Sequence, residues 1–411
     1  NENLPAYLLI SVVVFLFLGM TISAEQIIKD RKILQRESFL NLSRGSYLHA
    51  KILIIFAISA VQSLSYVLIG NLIFEIKGMI LSYWIILFST ACFANILGLN
   101  LSAGLNSVIN IYISIPFLVI PQILFCGVLV KYDKLHHSLT NYEYVPLIGN
   151  IMTSRWAYEA LSVEQFKNNN YENLYYDTDQ QKSTAIYLNT YLVPEFKNKL
   201  EELKQDYLDG EAQEIIQYRL KTLNNQLVTL GKQEPQLPFY EPLEVVEDPF
   251  SNDTTKTERA IRTYLKDVEE IAREMDRTSS RTKSEIQKAL IKDMGPKAYQ
   301  EFTSSYHNKS LEDMVLNNSL ITNNIVEVEG RIIRKYQPAY MKPTSTRGKA
   351  HLYAPVKRLG GFEYETMWFN IVVIWLYTLM FYVTLRLDLL RKAINIKETR
   401  RLRRLSRRQA T

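Results

Sequence analysis

Long uncharged runs interrupt an otherwise mixed-charge sequence. Residues 3–24 and 52–74 carry no charged side chain, residues 78–130 carry none over 53 positions, and residues 366–385 form a last such run. A bilayer core of about 30 Å takes roughly 20 apolar residues as helix, because a helix satisfies its own backbone hydrogen bonds in hydrocarbon. The 53-residue run holds two such lengths. The pattern therefore predicts five spans, at about 5–24, 52–74, 79–102, 108–130 and 366–387.

Between the runs the period changes. Ala24–Lys51 interleaves Ile27, Ile28, Ile33 and Leu34 with Lys29, Asp30, Arg31, Lys32 and Arg36, as an interfacial amphipathic helix does. Past Val130, Tyr142, Tyr144, Trp156 and Tyr158 stand among apolar residues too broken by polar ones to span, which predicts short re-entrant or interfacial helices at a membrane boundary. Three heptad-like series follow: Ile216, Leu220, Leu223, Leu227, Leu230; Ile261, Leu265, Val268, Ala272, Met275; and Ile321, Ile325, Val328, Ile332. Each predicts a helix packed side by side with others. Pro235, Pro238, Pro242 and Pro249 separate the first two as a linker would.

The expected fold is all-α, a polytopic helical membrane protein with a large helical extracytoplasmic domain inserted before the last span. Its parts are a first span over 1–24, a connecting segment over 25–51, three tightly connected spans over 52–130, outer helices over 131–166, an external domain over 167–361, the last span over 362–388 and a basic tail over 389–411.

Charge assigns the sides. Residues 386–408 carry ten Lys or Arg against Asp388 and Glu398, and residues 25–51 carry six against three acids, so both are expected in the cytoplasm. Residues 132–365 carry 30 basic and 35 acidic side chains, which five spans place outside. The formal charge of +6 comes from the juxtamembrane tail, so it points to anionic lipid and not to nucleic acid. Cys92 and Cys126 both fall inside predicted spans, leaving the external domain without a disulfide framework and favouring a bacterial inner membrane. The sequence opens directly on a span, with neither initiator Met nor signal peptide, and is expected to be a piece of a longer polypeptide.

Catalytic patterns are absent from the sequence. No GxxxxGK followed by Ser or Thr is present to cradle a nucleotide phosphate. His136 and His137 stand near Asp133, but adjacent histidines point apart on a helix and no third ligand is evident, so no metal site is assigned. Gln62, Asn71, Asn95, Asn100, Asn110 and Gln122 place amides within spans, where they join helices more often than they bind substrate. Pro116 and Pro121 should bend the fourth span.

Glu25, followed by the pair Arg36-Glu37 in AEQIIKDRKILQRESFLNLSRGSYLHAKIL, resembles the segment joining the second and third membrane helices of G-subfamily (White, or pigment-precursor type) ABC transporters. FCGVLVKYDKL and YVPLIGNIMTSRWAYEALSVEQFKNNNYE resemble that family's fifth-helix end and outer re-entrant helices, and FEYETMWFNIVVIWLYTLMFYVTLRLDLLRK its final helix. Order and spacing match over residues 5–166 and 362–392, about half the chain.

The resemblance implies a permease half whose ATP-binding domain, fused upstream or separate, holds ATP and Mg; this chain itself needs no cofactor and has no ATPase site. It implies pairing with a second half-transporter, identical or different, and the assembled transporter would be an ATP-hydrolysing translocase. Residues 26–38 would form the connecting and coupling helices, with Glu25, Arg36 and Glu37 coupling to the ATPase. Leu18, Ile123, Val128 and Leu129 would face a central cavity and its outer plug. The expected activity is export or extraction of a lipophilic or lipid-like molecule by alternating access. Its alternative is mechanotransmission, in which the external helices act on an envelope partner and nothing crosses the bilayer. The family's last external loop is usually a few tens of residues with cysteines, whereas here it is far longer and has none.

Overall fold

In a computed structural model of the protein, residues 2–37, 43–136, 138–241, 254–318, 324–328 and 330–394 are described. His137, Pro242, Pro249, Ile321 and the tail beyond residue 394 lie outside them. The chain is predominantly helical and falls into two compact units. One comprises Asn1–Asn169, Asn308–Leu311 and Gly361–Thr411, the other Asn170–His307 and Glu312–Gly360.

The first unit carries α1 (Leu4–Ala24), α2 (Gln26–Glu37), α3 (Arg44–Ile73), α4 (Ile80–Gly104), α5 (Val108–Leu124), α6 (Leu147–Ile151) and α7 (Thr153–Lys167). The chain returns to it with β4 (Phe362–Glu365) and α14 (Thr366–Arg386), numbered in chain order. Four of these helices, α1, α3, α4 and α14, are long and apolar enough to cross a membrane. The fifth expected span is shorter than its sequence pattern. α5 ends at Leu124, not 130, because Gly127 sits at φ 89°, a left-handed conformation that stops a right-handed helix.

α4 is the most enclosed of the four long helices. It lies against α1 through small residues: a Cβ placed on Gly19 would come within 2.7 Å of the Ala94 Cβ, and one on Gly98 would overlap the Ser23 hydroxyl. Backbones that close exchange dispersion contacts over a long seam, the usual way helices associate in lipid. Amides then tie α4 outward. The Asn95 Nδ2 donates to the Ser59 hydroxyl at 2.7 Å, and the Asn100 Nδ2 donates to the Phe381 carbonyl at 2.9 Å. The helix expected at an outer boundary, α7, is buried from Thr153 through Phe166.

The second unit contains α8 (Glu172–Ile186), α9 (Val193–Leu208), α10 (Gln213–Gln233), α11 (Thr254–Met294) and α12 (Pro296–Tyr306). The short α13 (Lys309–Val315) lies where the chain passes between units in sequence, and β1 (Ile325–Val328), β2 (Arg331–Arg334) and β3 (Val356–Leu359) follow. Its core is the stripe Ile216, Leu220, Leu223, Leu227, Leu230 of α10 against Ile261, Leu265, Val268, Ala272 of α11. Met275, the last of that second series, is only partly buried.

The third expected helix is a β-hairpin. β1 pairs antiparallel with β2, Ile325 opposite Arg334 and Val328 opposite Arg331. The run Ile325-Val326-Glu327-Val328 is β-branched at three of four positions, which suits a strand, and Gly330 at φ 70° accepts the turn. The helix that completes the core is α9, with Phe196, Leu200 and Leu203 buried after a π-helical turn at Tyr187–Leu192. Arg334 fastens β2 to α8 by donating to the Ser183 hydroxyl at 2.8 Å while stacking on the Tyr187 ring. Burial lowers this guanidinium to about 10, which leaves it charged at neutral pH.

Candidate functional site

The amphipathic α2 is held at one end of the first unit by two reciprocal caps. A helix leaves its first N–H groups and last carbonyls without internal partners. The Ser102 Oγ, in the last turn of α4, accepts from the Ile27 N–H at 3.1 Å and the Ile28 N–H at 3.0 Å, satisfying the start of α2. In return the Arg31 guanidinium donates to the carbonyls of Ser102, Ala103 and Leu105 at 3.3, 3.1 and 2.8 Å, and to the Asn106 Oδ1 at 3.0 Å. A cation there also meets the negative end of the α4 dipole.

Further contacts join α2 to its other neighbours. The Asp30 Oδ2 accepts from the Lys51 Nζ and the Tyr47 hydroxyl, each at 2.8 Å, which ties α2 to the start of α3. Glu25, between α1 and α2, pairs with Lys29 and accepts from the Tyr112 hydroxyl of α5 at 2.9 Å. Arg44 at the start of α3 pairs with Asp388 just past α14. Beneath this polar lacing, Ile27, Leu48, Ile55, Ile96, Leu99, Ala103 and Leu385 close an apolar core. These contacts bind α2 to the end of α4, which itself packs against α1, α3 and α14.

The structure separates the expected coupling residues. Glu25 and Arg36 stand at opposite ends of α2, about 16 Å apart along the axis. Arg36 is exposed and makes no ion pair among the described residues. Glu37 ends the helix, and its side chain lies outside the described residues. Sequence reasoning gave no special role to Arg31 or Ser102. Their only sequence signal is a basic residue on the apolar side of an amphipathic helix and a serine one turn from a helix end.

Of the expected cavity residues, Leu18 on α1 and Ile123 on α5 are partly exposed. Val128 is also partly exposed, and Leu129, past the end of α5, is 59% exposed. Ile109, Ile113, Phe117, Ile120 and Leu124 make one exposed apolar stripe along α5 that is left uncovered by the described residues.

A second polar centre, not foreseen from the sequence, lies within α7. Arg155 and Glu159 are both buried, one helical turn apart, with Nη2 and Oε2 at 3.3 Å. The guanidinium stacks 3.9 Å from the Trp156 ring, and the Asn370 Nδ2 of α14 donates to the Glu159 Oε2 and the Trp156 carbonyl, each at 2.9 Å. The Arg155 Nε and Nη1 find no partner among the described residues. A charge pair inside an apolar helix bundle is costly enough to mark a constrained position.

No curated protein and no solved structure matches the chain. Residues 1–166, which contain α1–α6 and nearly all of α7, match the family model for the ABC-2 type transporter, and this supports a multi-pass permease component of an ABC transporter with an ATP-binding ABC domain as its partner.

Proposed function

We propose that the chain is the permease half of an ATP-driven exporter of the G-subfamily type, which works as a dimer of half-transporters and moves or extracts a lipophilic or lipid-like molecule by alternating access. The observation that carries this reading is the reciprocal capping of α2 and α4 by Ser102 and Arg31. It supplies a lever: a push on the exposed side of α2 moves the most enclosed span. In this reading α2 and the basic tail face the cytoplasm of a bacterial inner membrane, the second unit is periplasmic, and the ATP-binding domain bears on α2 near Arg36 and Glu37. The uncovered α5 stripe suits a second half-transporter, and Leu18, Ile123, Val128 and Leu129 line the cavity and plug.

The test uses the complete transporter with its ATP-binding domain. Arg31→Ala should leave assembly and basal ATP hydrolysis in place and reduce substrate-stimulated hydrolysis by about tenfold, within the range of ordinary coupling energies. Undiminished stimulation in that variant would sink the lever. Mechanotransmission is favoured by one observation, the independent apolar core of the second unit. It predicts that the ATPase cycle moves this unit while no lipophilic probe is transported.

A further inference from the structure

Charge is segregated sharply within the second unit. Residues 170–330 carry 19 basic and 29 acidic side chains, whereas residues 331–358 carry eight Lys or Arg and no Asp or Glu. The basic stretch runs up to the last span, which begins at Thr366. Positive residues close to the outward end of a span work against its insertion in the proposed orientation, yet Arg347, Lys349, Lys357 and Arg358 all fall within the 20 residues before Thr366.

These cations are held on an ordered strip. Arg347 bridges antiparallel to Leu359, the Gly348 N–H donates to the Arg358 carbonyl at 2.7 Å, and the Gly360 N–H donates to the Thr346 carbonyl at 2.9 Å. Gly348 adopts φ 75°, which folds the strip without strain. The Arg358 Nη1 donates to the Pro343 carbonyl at 3.3 Å, drawing the start of the strip against β3. Lys342, Arg347 and Lys349 are exposed and form no ion pair among the described residues, and Lys342 is one of three cations that partly offset the burial of the Glu234 carboxyl. Leu359 at the end of β3 is 50% exposed.

Chain length limits how far this strip can lie from the start of α14. Six residues separate Leu359 from Thr366, and fully extended the connection reaches at most about 25 Å. In the first unit, Phe362 and Tyr364 on β4 are 70% and 45% exposed, aromatic side chains of the kind that settle at a membrane–water boundary.

We infer that Lys342, Arg347 and Lys349, with Leu359 beside them, form a docking surface for anionic phospholipid headgroups of the leaflet on the outward side of α14. The cations meet the phosphates, and the leucine enters the boundary layer. The surface rests on the reading of Thr366–Arg386 as a span.

The test places the whole chain, labelled with an environment-sensitive dye at Thr346→Cys, in nanodiscs of phosphatidylcholine alone or with about 30% phosphatidylglycerol. Phosphatidylglycerol should shift the emission, about 1 M salt should reverse the shift, and Arg347→Gln with Lys349→Gln should weaken the response roughly tenfold. Arg347→Lys with Lys349→Arg should keep it. Inorganic phosphate added to phosphatidylcholine discs should do nothing; an equal shift there would reveal a free-anion site and overturn the lipid assignment. No dependence on phosphatidylglycerol, or loss of response in the charge-conserving variant, overturns it too. Failure of the chain to enter nanodiscs at all would instead overturn the membrane reading of α14.

Discussion

At the scale of single residues, the costliest placements are charges deprived of water. Arg155 is 1% exposed and Glu159 fully buried, so truncating one partner strands the other. Arg155→Met should lower stability by about 3–5 kcal/mol, whereas Arg155→Met with Glu159→Leu should cost clearly less, since the pair owes much of its attraction to prior desolvation. Thermal unfolding of both variants and Glu159→Leu in detergent closes the cycle; additive losses would show that the two side chains do not act as a pair. Glu234 poses the opposite case. Burial raises its carboxyl above the ordinary 4.5, only partly opposed by Arg334, Lys342 and Arg358. A carboxyl raised in the folded state contributes stability that is present below 4.5 and is lost as pH rises through the folded value. Glu234→Gln should therefore increase amide protection across α10 at neutral pH, and the gain over wild type should vanish on acidification to about 4.5. A gain that persists there would mean that charge at Glu234 is not its source.

At the scale of elements, the tightest packing joins α1 to α4. A side chain on Gly98 would meet the Ser23 hydroxyl and the Met20 backbone, and the backbone cannot yield as a flexible side-chain tip can. Gly98→Val should thus cost a few kcal/mol by overpacking and lower the yield of folded protein, while Gly45→Ala, near only the Ser43 hydroxyl, should be close to neutral. Gel filtration of both variants checks this. What the sequence made legible follows from the same physics. Long uncharged runs announced α1, α3, α4 and α14, because length and apolarity are local properties. The heptads of α10 and α11 announced the core of the second unit. The series Ile321, Ile325, Val328, Ile332 misled because four spaced apolar positions fit helix and strand alike, and over the described residues from 325 on the β-branched residues with Gly330 decide for the hairpin. Arg31 and Arg155 were not legible as sites: one basic residue among several gives no sign that it will cap a distant helix or be buried beside a tryptophan.

At the scale of the whole molecule, the second unit owns what an independent fold requires. Its core gathers Leu192 of the π-helical turn with Phe196, Leu220, Leu227, Leu265 and Val268 from three helices, and β1 and β2 contribute Ile325 and Ile332 along its margin. Helix-to-helix ion pairs, Lys197 with Glu269 at 2.7 Å and Lys283 with Asp179 at 2.7 Å, join its own elements; being largely surface pairs they add register more than stability. Residues 170–360 expressed alone should therefore be helical by circular dichroism and unfold cooperatively, and a disordered fragment would defeat the claim of an independent core. The complementary change joins residue 169 to residue 361 through a short flexible linker in the complete transporter. Because the elements around α2 and α4 all belong to the first unit, that protein should still assemble and hydrolyse ATP. Its transport then separates the two functional readings. Export of a lipophilic molecule through α1 and α5 should survive in reduced form without the second unit, whereas action on an envelope partner should be lost completely while hydrolysis continues. Physiological activity undiminished by the deletion would show that the second unit serves neither role.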